Sequence, residues 1–331
     1  MTSVIRVLAA ASALAGLAAV SGGGPQPRAR RWYKGNLHTH TTNSDGDSTP
    51  ETVARWYKSN GYQFLALSDH NVLTEAGPLN ALLGEAGKFL LMPGEEVTDS
   101  FRGAPVHVNG YNLSRLVQPT HGETLAGTIQ GNVNAIREAG GLPSVNHPNF
   151  RWAFGSRELI AVENLRLFEV YNGHPTVHNR GGGGAESLDE MWDALLAGGR
   201  RMYGIAVDDA HYFKVFGKQY SNPGRGWVVV RAESLANADI VSAIAAGDFY
   251  SSTGVELSDV RTSESGLSLT INPSGDTRYR TYFLGPGGRV VKTETGLGPS
   301  CRLGPGDKYL RARVEASTGD TAWVQPVFAT P

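Results

Sequence analysis

An α/β fold on parallel strands, followed by a small antiparallel β domain, is the architecture this sequence predicts, and three observations predict it. From Trp32 to about Gly254, apolar runs of strand length alternate with capped, helix-like stretches. Several of those runs end in a histidine or a carboxylate just before the next helix. Past Ser252 the helices stop, and short β-rich runs alternate with Gly/Pro turns.

The first unit is Leu37 to Asn71. His38 and His40 alternate on an extended segment, so both imidazoles leave one face. Asp45 follows in a Ser-Asp-Gly turn, and Thr49-Pro50-Glu51 starts a helix that ends near Gly61. A buried strand, Phe64 to Ser68, then delivers Asp69 and His70, completing a βαβ unit. Phe89 to Met92 is a short strand leading to Pro93-Gly94-Glu95-Glu96; neighbouring glutamates on a strand face opposite ways, so only one can enter a shared site. Pro105 to Leu113 alternates and carries His107. Thr124 to Ala139 reads as a helix closed by Gly140-Gly141, and Leu142 to Asn146 as a strand ending at His147. Leu167 to Asn172 is a further strand, opening into a loop with His174, His178 and four glycines. Ser187 to Leu196 is a helix with a Ser187/Glu190 capping box. Tyr203 to Val207 ends in Asp208-Asp209-Ala210-His211, and Trp227 to Arg231 with a helix from about Leu235 to Ala246 completes the alternation. Five β runs follow: Leu267–Ile271, Tyr279–Leu284, Arg289–Thr293, Tyr309–Ala316 and Ala322–Phe328. In barrels of parallel strands the C-terminal strand ends share one rim. His38, His40, Asp45, His70, Glu96, His107, His147, Asp209 and His211 are therefore expected at one place, as nitrogen and oxygen ligands for metal.

Bulk properties bound the function. A net charge of −1 and no basic tract give no indication of a nucleic-acid partner. One cysteine, Cys301, excludes an intrachain disulfide and a thiolate metal cluster. Arg6 followed by the Ala/Leu-rich run to Val20 and small residues at 19–22 reads as an export signal, periplasmic or secreted, too short for a membrane span. The expected divisions are 1–21 signal, 22–31 flexible linker, 32–254 metal-binding α/β unit and 255–331 β domain.

The ordered motifs HTH…SDG, SDH, PGEE, HVNGY, NHP and DDAH resemble the PHP (polymerase and histidinol phosphatase) superfamily. The longer stretches YNGHPTVHNRGGGG, YGIAVDDAH, FYSSTG and AWVQPVF resemble an exported branch that includes carbaryl hydrolases. The resemblance implies a distorted (β/α)7 barrel with two or three divalent ions (Mn, Zn or Fe). It assigns His38, His40 and Asp209 to a first metal and His107 and His147 to a second, and it selects Glu96 over Glu95 as the bridge. Asp45, where many members have histidine, would join His70 and His211 at a third. The implied reaction is hydrolysis of phosphate mono- or diesters by a metal-bridging hydroxide. The alternatives are a hydrolase of carbamate, ester or amide bonds, and a binding module without catalysis. His174 is a candidate leaving-group acid or substrate ligand, and Glu169, Asn172 and Arg225 are candidate substrate contacts on strand ends and turns.

Overall fold

Helices begin where a side chain can receive their first free amides. The computed structural model, which describes residues 1–2, 29–263 and 265–329, shows this at three places. Thr49 accepts from the Thr52 amide at the start of α1 (Pro50–Ser59), after β1 (Arg31–Asn36). After α1 come β2 (Phe64–Ala66), α2 (Ala76–Leu83), β3 (Leu90–Met92), β4 (Gly94–Phe101) and β5 (Ala104–Tyr111). Thr124 caps α3 (Leu125–Glu138) through the Gly127 amide; β6 (Leu142–Val145), α4 (Ser156–Leu159) and β7 (Leu167–Asn172) follow. The Ser187/Glu190 capping box opens α5 (Leu188–Ala197). Then come β8 (Tyr203–Val207), β9 (Trp227–Ala232), α6 (Asn237–Ala246) and β10 (Phe249–Ser252). The export signal and most of the linker fall on residues 3–28, outside the described residues. Among the described residues no helix is long and apolar enough to cross a membrane.

The fold is α/β, but the strands are not all parallel. β1–β2, β2–β3, β6–β7 and β7–β8 pair in parallel, whereas β4–β5, β5–β6 and β1–β9 are antiparallel. The cause is local: Arg102 and Gly103 both have positive φ (51° and 86°), the backbone of a two-residue hairpin turn, and a hairpin can only pair antiparallel. Isolated bridges join the sheets, Thr39 to Ala210 and His70 to Glu96, so β1, β2, β4, β5, β6, β7 and β8 follow one another around a ring. Both bridges lie beside expected metal ligands. Inside this frame Phe64, Tyr111, Leu167, Ile205 and Val228 form one buried cluster; Val133, Ile136, Phe168, Met191 and Trp192 form another towards the helices.

The C-terminal region has seven strands rather than the five expected: β11 (Leu257–Ser263), β12 (Gly266–Ile271), β13 (Tyr279–Gly285), β14 (Arg289–Thr295), β15 (Ser300–Arg302), β16 (Tyr309–Ala316) and β17 (Thr321–Phe328). β11, β12 and β15 make a separate three-stranded sheet. β14-β13-β16-β17 instead continues through β10 and β9 into β1. Leu267, Leu269, Phe283, Leu310 and Val324 fill the space within this region.

A buried ionic lock ties it to α5. Arg311 is fully buried, donates Nε to Asp193 Oδ1 at 2.7 Å, and lies over the Trp192 ring; Tyr309 donates to the same carboxylate at 3.0 Å. Arg313 pairs with Asp189 one turn away. Arg311 also pairs with Asp189 Oδ1 at 2.9 Å, so Asp193→Ala leaves the buried guanidinium with one carboxylate and should lower stability by up to about 3–5 kcal/mol, read as a fall in the denaturant midpoint. Asp193→Leu combined with Arg311→Met should recover most of that loss.

Candidate metal centre

The nine expected ligands converge. His38 and His40 leave the end of β1 on one side, and the ring of His40 stacks on that of His211 at 4.1 Å. His38 and His147 have ring centroids 5.8 Å apart, and His70 and His107 5.4 Å. Glu96 lies centrally. Its Oε2 is 3.5 and 3.4 Å from Nε2 of His38 and His40 and 2.8 Å from Nδ1 of His70; its Oε1 is 2.9 Å from Nδ1 of His107 and 3.4 Å from Nε2 of His147. Asp209 Oδ1 is 3.3 and 3.2 Å from the same His38 and His40 nitrogens. Asp45 Oδ1 is 3.3 Å from His211 Nε2, and its Oδ2 is 3.5 Å from His70 Nε2.

Four groups bring ligand atoms within 4.8 Å of one another: His40-Asp45-His70-His211, His38-His147-Asp209, His38-His40-Glu96 and His70-Glu96-His107. The implied third set is thus gathered, with His40 added. The two members of the implied second set, His107 and His147, share Glu96 Oε1 at 2.9 and 3.4 Å with ring centroids 5.0 Å apart; His147 also groups with His38 and Asp209, and His107 with His70. Glu96 links the halves of the cluster, its Oε2 facing His38, His40 and His70.

The donor set fits cations. Glu96 Oε2 is buried with no hydrogen-bond donor although imidazole nitrogens surround it, which is costly for a carboxylate oxygen unless a positive charge sits among them. Burial alone would raise the Glu96 and Asp209 pKa values. The neighbouring imidazoles, His70 and His107 for Glu96 and His38 and His211 for Asp209, outweigh burial and keep both well below the usual range. The reciprocal effect is seen at His70: burial lowers its pKa, but Glu96 and Asp45 raise it to about 10. A field that holds protons on imidazoles at high pH is also one that holds metal cations.

Outer partners fix which nitrogen faces the centre. His38 Nδ1 lies 2.6 Å from Glu169 Oε1, and His211 Nδ1 lies 2.9 Å from the Asp209 carbonyl and 3.0 Å from Ser221 Oγ, leaving Nε2 free in both. His70 Nδ1 lies 2.6 Å from Thr98 Oγ1. The ligand loops carry left-handed backbone at His147 (φ 23°), Asp209 (φ 50°) and Asn71 (φ 51°), conformations that persist only where their surroundings enforce them.

Three expected substrate contacts are otherwise engaged. Glu169 is fully buried; besides His38 it accepts the His147 amide at 2.7 Å and Asn172 Nδ2 at 2.8 Å. Asn172, also buried, donates to Asp209 Oδ2 at 3.1 Å. A bulge between Glu169 and Tyr171 lets residues three apart share one face of β7, which regular alternation would forbid. Arg225 donates to the carbonyls of Gly173 and Gly217 and tethers loops. His174 does reach the rim, its ring 5.6 Å from that of His211. Its Nδ1 accepts from the Thr176 amide, which leaves the proton on Nε2. Burial lowers its pKa, Asp209 acting against that shift and His211 with it. Asp69 and Asp208 shape loops: Asp69 accepts from Thr41, Ser44 and Thr74, and Asp208 from Tyr57 and the amides of Arg225 and Gly226. Of the remaining histidines, His121 pairs with Asp99 at 2.7 Å and His178 stacks on Trp152. Asn146 was missed. It donates to Glu96 Oε1 at 2.8 Å, and its place beside His147 at a strand end was the available signal.

No family model matches the chain. Over 92 residues, 28% of its length, it is 32% identical to the 5'-3' exoribonuclease Rnm of Escherichia coli (strain K12), spanning 31% of that relative. Among solved structures it is similar to a two-domain protein of Bacteroides vulgatus containing a predicted PHP-like metal-dependent phosphoesterase: TM-score 0.51, 16% identity, 88% of this chain and 95% of that one. An amidohydrolase of Chromobacterium violaceum aligns over 54% of this chain and 88% of its own, with 17% identity and a TM-score of 0.39. The chain thus shares the fold of that two-domain protein.

Glu95, next to Glu96, faces the other way, as alternation requires. It accepts the Val117 amide at 2.9 Å, its second oxygen is unpartnered, and burial pushes its pKa up to about 7. The folded state therefore binds a proton that the unfolded state has released, and stability falls as pH rises from about 4.5 through 7. Glu95→Gln should remove that loss, with a gain over the parent growing between pH 5 and pH 8 to on the order of 1–3 kcal/mol, followed by thermal denaturation of the metal-free protein.

Proposed function

We propose that this chain is a metal-dependent hydrolase that cleaves phosphate mono- or diesters at a cage for two or three divalent ions, of which Mn, Zn and Fe all suit imidazole-carboxylate ligation. The observation that carries the reading is the convergence of six imidazoles and three carboxylates, with the central oxygen of Glu96 unpartnered. His38, His40, Glu96 and Asp209 would hold the innermost ions, His107 and His147 would complete that part, and Asp45, His70 and His211 would hold the outer one. Cations there would offset phosphoryl charge and acidify water towards neutrality.

The chain's own groups do the rest. Glu169 holds His38 in one tautomer and, through the His147 amide and Asn172, sets the spacing of His38, His147 and Asp209. His174 offers Nε2–H at the rim, where it can hydrogen-bond an oxygen of the ester. Its replacement by alanine should raise KM more than it lowers kcat.

Elemental analysis of the purified protein should find at least two transition-metal ions per chain. Loaded protein should hydrolyse p-nitrophenyl phosphate, bis-p-nitrophenyl phosphate or a short RNA, the last included because the matched relative is named as an exoribonuclease. Hydrolysis confined to 1-naphthyl carbamate would overturn the phosphoester reading. His38→Ala or Asp209→Ala should lower kcat by more than roughly 100-fold, beyond the cost of losing an outer partner. Glu169→Gln should keep the fold but weaken metal affinity by roughly 10–100-fold, measured by competition with a fluorescent chelator.

A further inference from the structure

Large apolar side chains stand exposed on the two loops that leave the cage, Trp152 on one and Val215 and Phe216 on the other, while Phe150 beside Trp152 is half-buried against the core. One loop follows His147 and carries Phe150, Arg151 and Trp152. The other leaves His211, exposes Val215 and Phe216, and returns at Ser221, whose hydroxyl is back beside His211. The first loop is held at several points. Phe150 meets the imidazole of His147 edge-on at 5.3 Å and bridges to Val177 in the facing loop. Asn149 donates to the carbonyls of His178 and Glu186, both at 2.9 Å, pinning the two loops together.

Trp152 then stacks flat on His178, centroids 4.2 Å apart and planes 5° from parallel, and stays 43% exposed. Arg151 and Trp152 are both left-handed, φ 52° and 55°, an arrangement that is costly for two successive residues with side chains. The Arg151 guanidinium lies 5.3 Å from the Phe150 ring centroid. An indole stacked on His178, part-exposed, and two residues beyond the ring that meets His147, is a stacking surface with its ordering entropy already spent.

We propose that Phe150 and Trp152 form an aromatic subsite that receives a planar ring of the substrate, so that the cage acts on phosphoesters carrying an aryl group or a nucleobase. This rests on the phosphoester reading of the cage. The shared chemistry is a flat π-face within reach of a phosphate; the aryl ester places it on the leaving oxygen, and the nucleotide places it one sugar away. Stacking of one ring on an aromatic side chain corresponds to about tenfold or more in affinity.

The test uses the full metal-loaded chain with Trp152→Ala and Trp152→Phe, assayed on 1-naphthyl phosphate, a dinucleotide and glycerol phosphate. Trp152→Ala should lower the ratio of kcat/KM for the ring-bearing ester over glycerol phosphate by about tenfold, mainly through KM, and Trp152→Phe should restore most of it. Loss confined to 1-naphthyl phosphate assigns the ring to the leaving group, and loss confined to the dinucleotide assigns a base. An equal fall on all three esters, or no fall, overturns the proposal. Calorimetric titration with uncharged 1-naphthol and adenosine separates the subsite from the reaction. Binding of either ring that Trp152→Ala weakens supports the subsite even if no phosphoester is cleaved, whereas absence of binding in the parent overturns the subsite whatever the cage hydrolyses.

Discussion

A buried carboxylate surrounded by imidazoles is the constraint on which the molecule turns. Glu96 has no access to water; His38 and His40 ring nitrogens stand 3.4 to 3.5 Å from its inner oxygen and His70 Nδ1 stands at 2.8 Å, none of them aligned to donate a hydrogen bond to it. Asp209 is buried among the same rings, its other oxygen held by Asn172. Two such anions in a low-dielectric interior are tolerable only with positive charge between them, whether from protons on the rings or from metal. The ring of strands, the left-handed ligand loops and the outer clamps of Glu169, Asn146 and Ser221 all keep these groups close together. A softer scaffold would let the carboxylates turn to water.

How much of this was legible in the sequence depended on whether a feature was local. The ligands were legible because each ends an apolar run, and because alternation fixes which face a side chain takes; Glu95 and Glu96 fall on opposite sides as that rule requires. Strand direction was not, since it was set by the Arg102-Gly103 turn, whose first residue has an unusual backbone for a side-chain-bearing position. Glu169 and Asn172 are legible as site-facing from their place at a strand end, but not their partners: a single bulge brings both inwards, where they clamp the ligands. Arg225 looked like an anion contact because its charge is visible in the sequence, while its carbonyl partners are not.

The rim differs from the cage in character. Inside, polar groups are saturated or wait for cations; outside, the loops after His147 and His211 present exposed apolar surface. Charge and apolar contact can therefore select different ends of one molecule. A cage that handles any phosphoryl group gains discrimination only from such flanking surfaces, because the central interactions are the same for every ester.

The sheet order has a bearing on synthesis. β10 lies between β9 and β17, so residues 321–328 are the partner of a strand that leaves the ribosome some seventy positions earlier. Until residues 321–328 emerge, Phe249 to Ser252 presents an open hydrogen-bonding edge beside an already assembled ring, a template for unwanted chain pairing. A nonsense codon at position 320 would therefore spare every ligand of the cage and still favour aggregation, because it removes the strand that pairs with this edge.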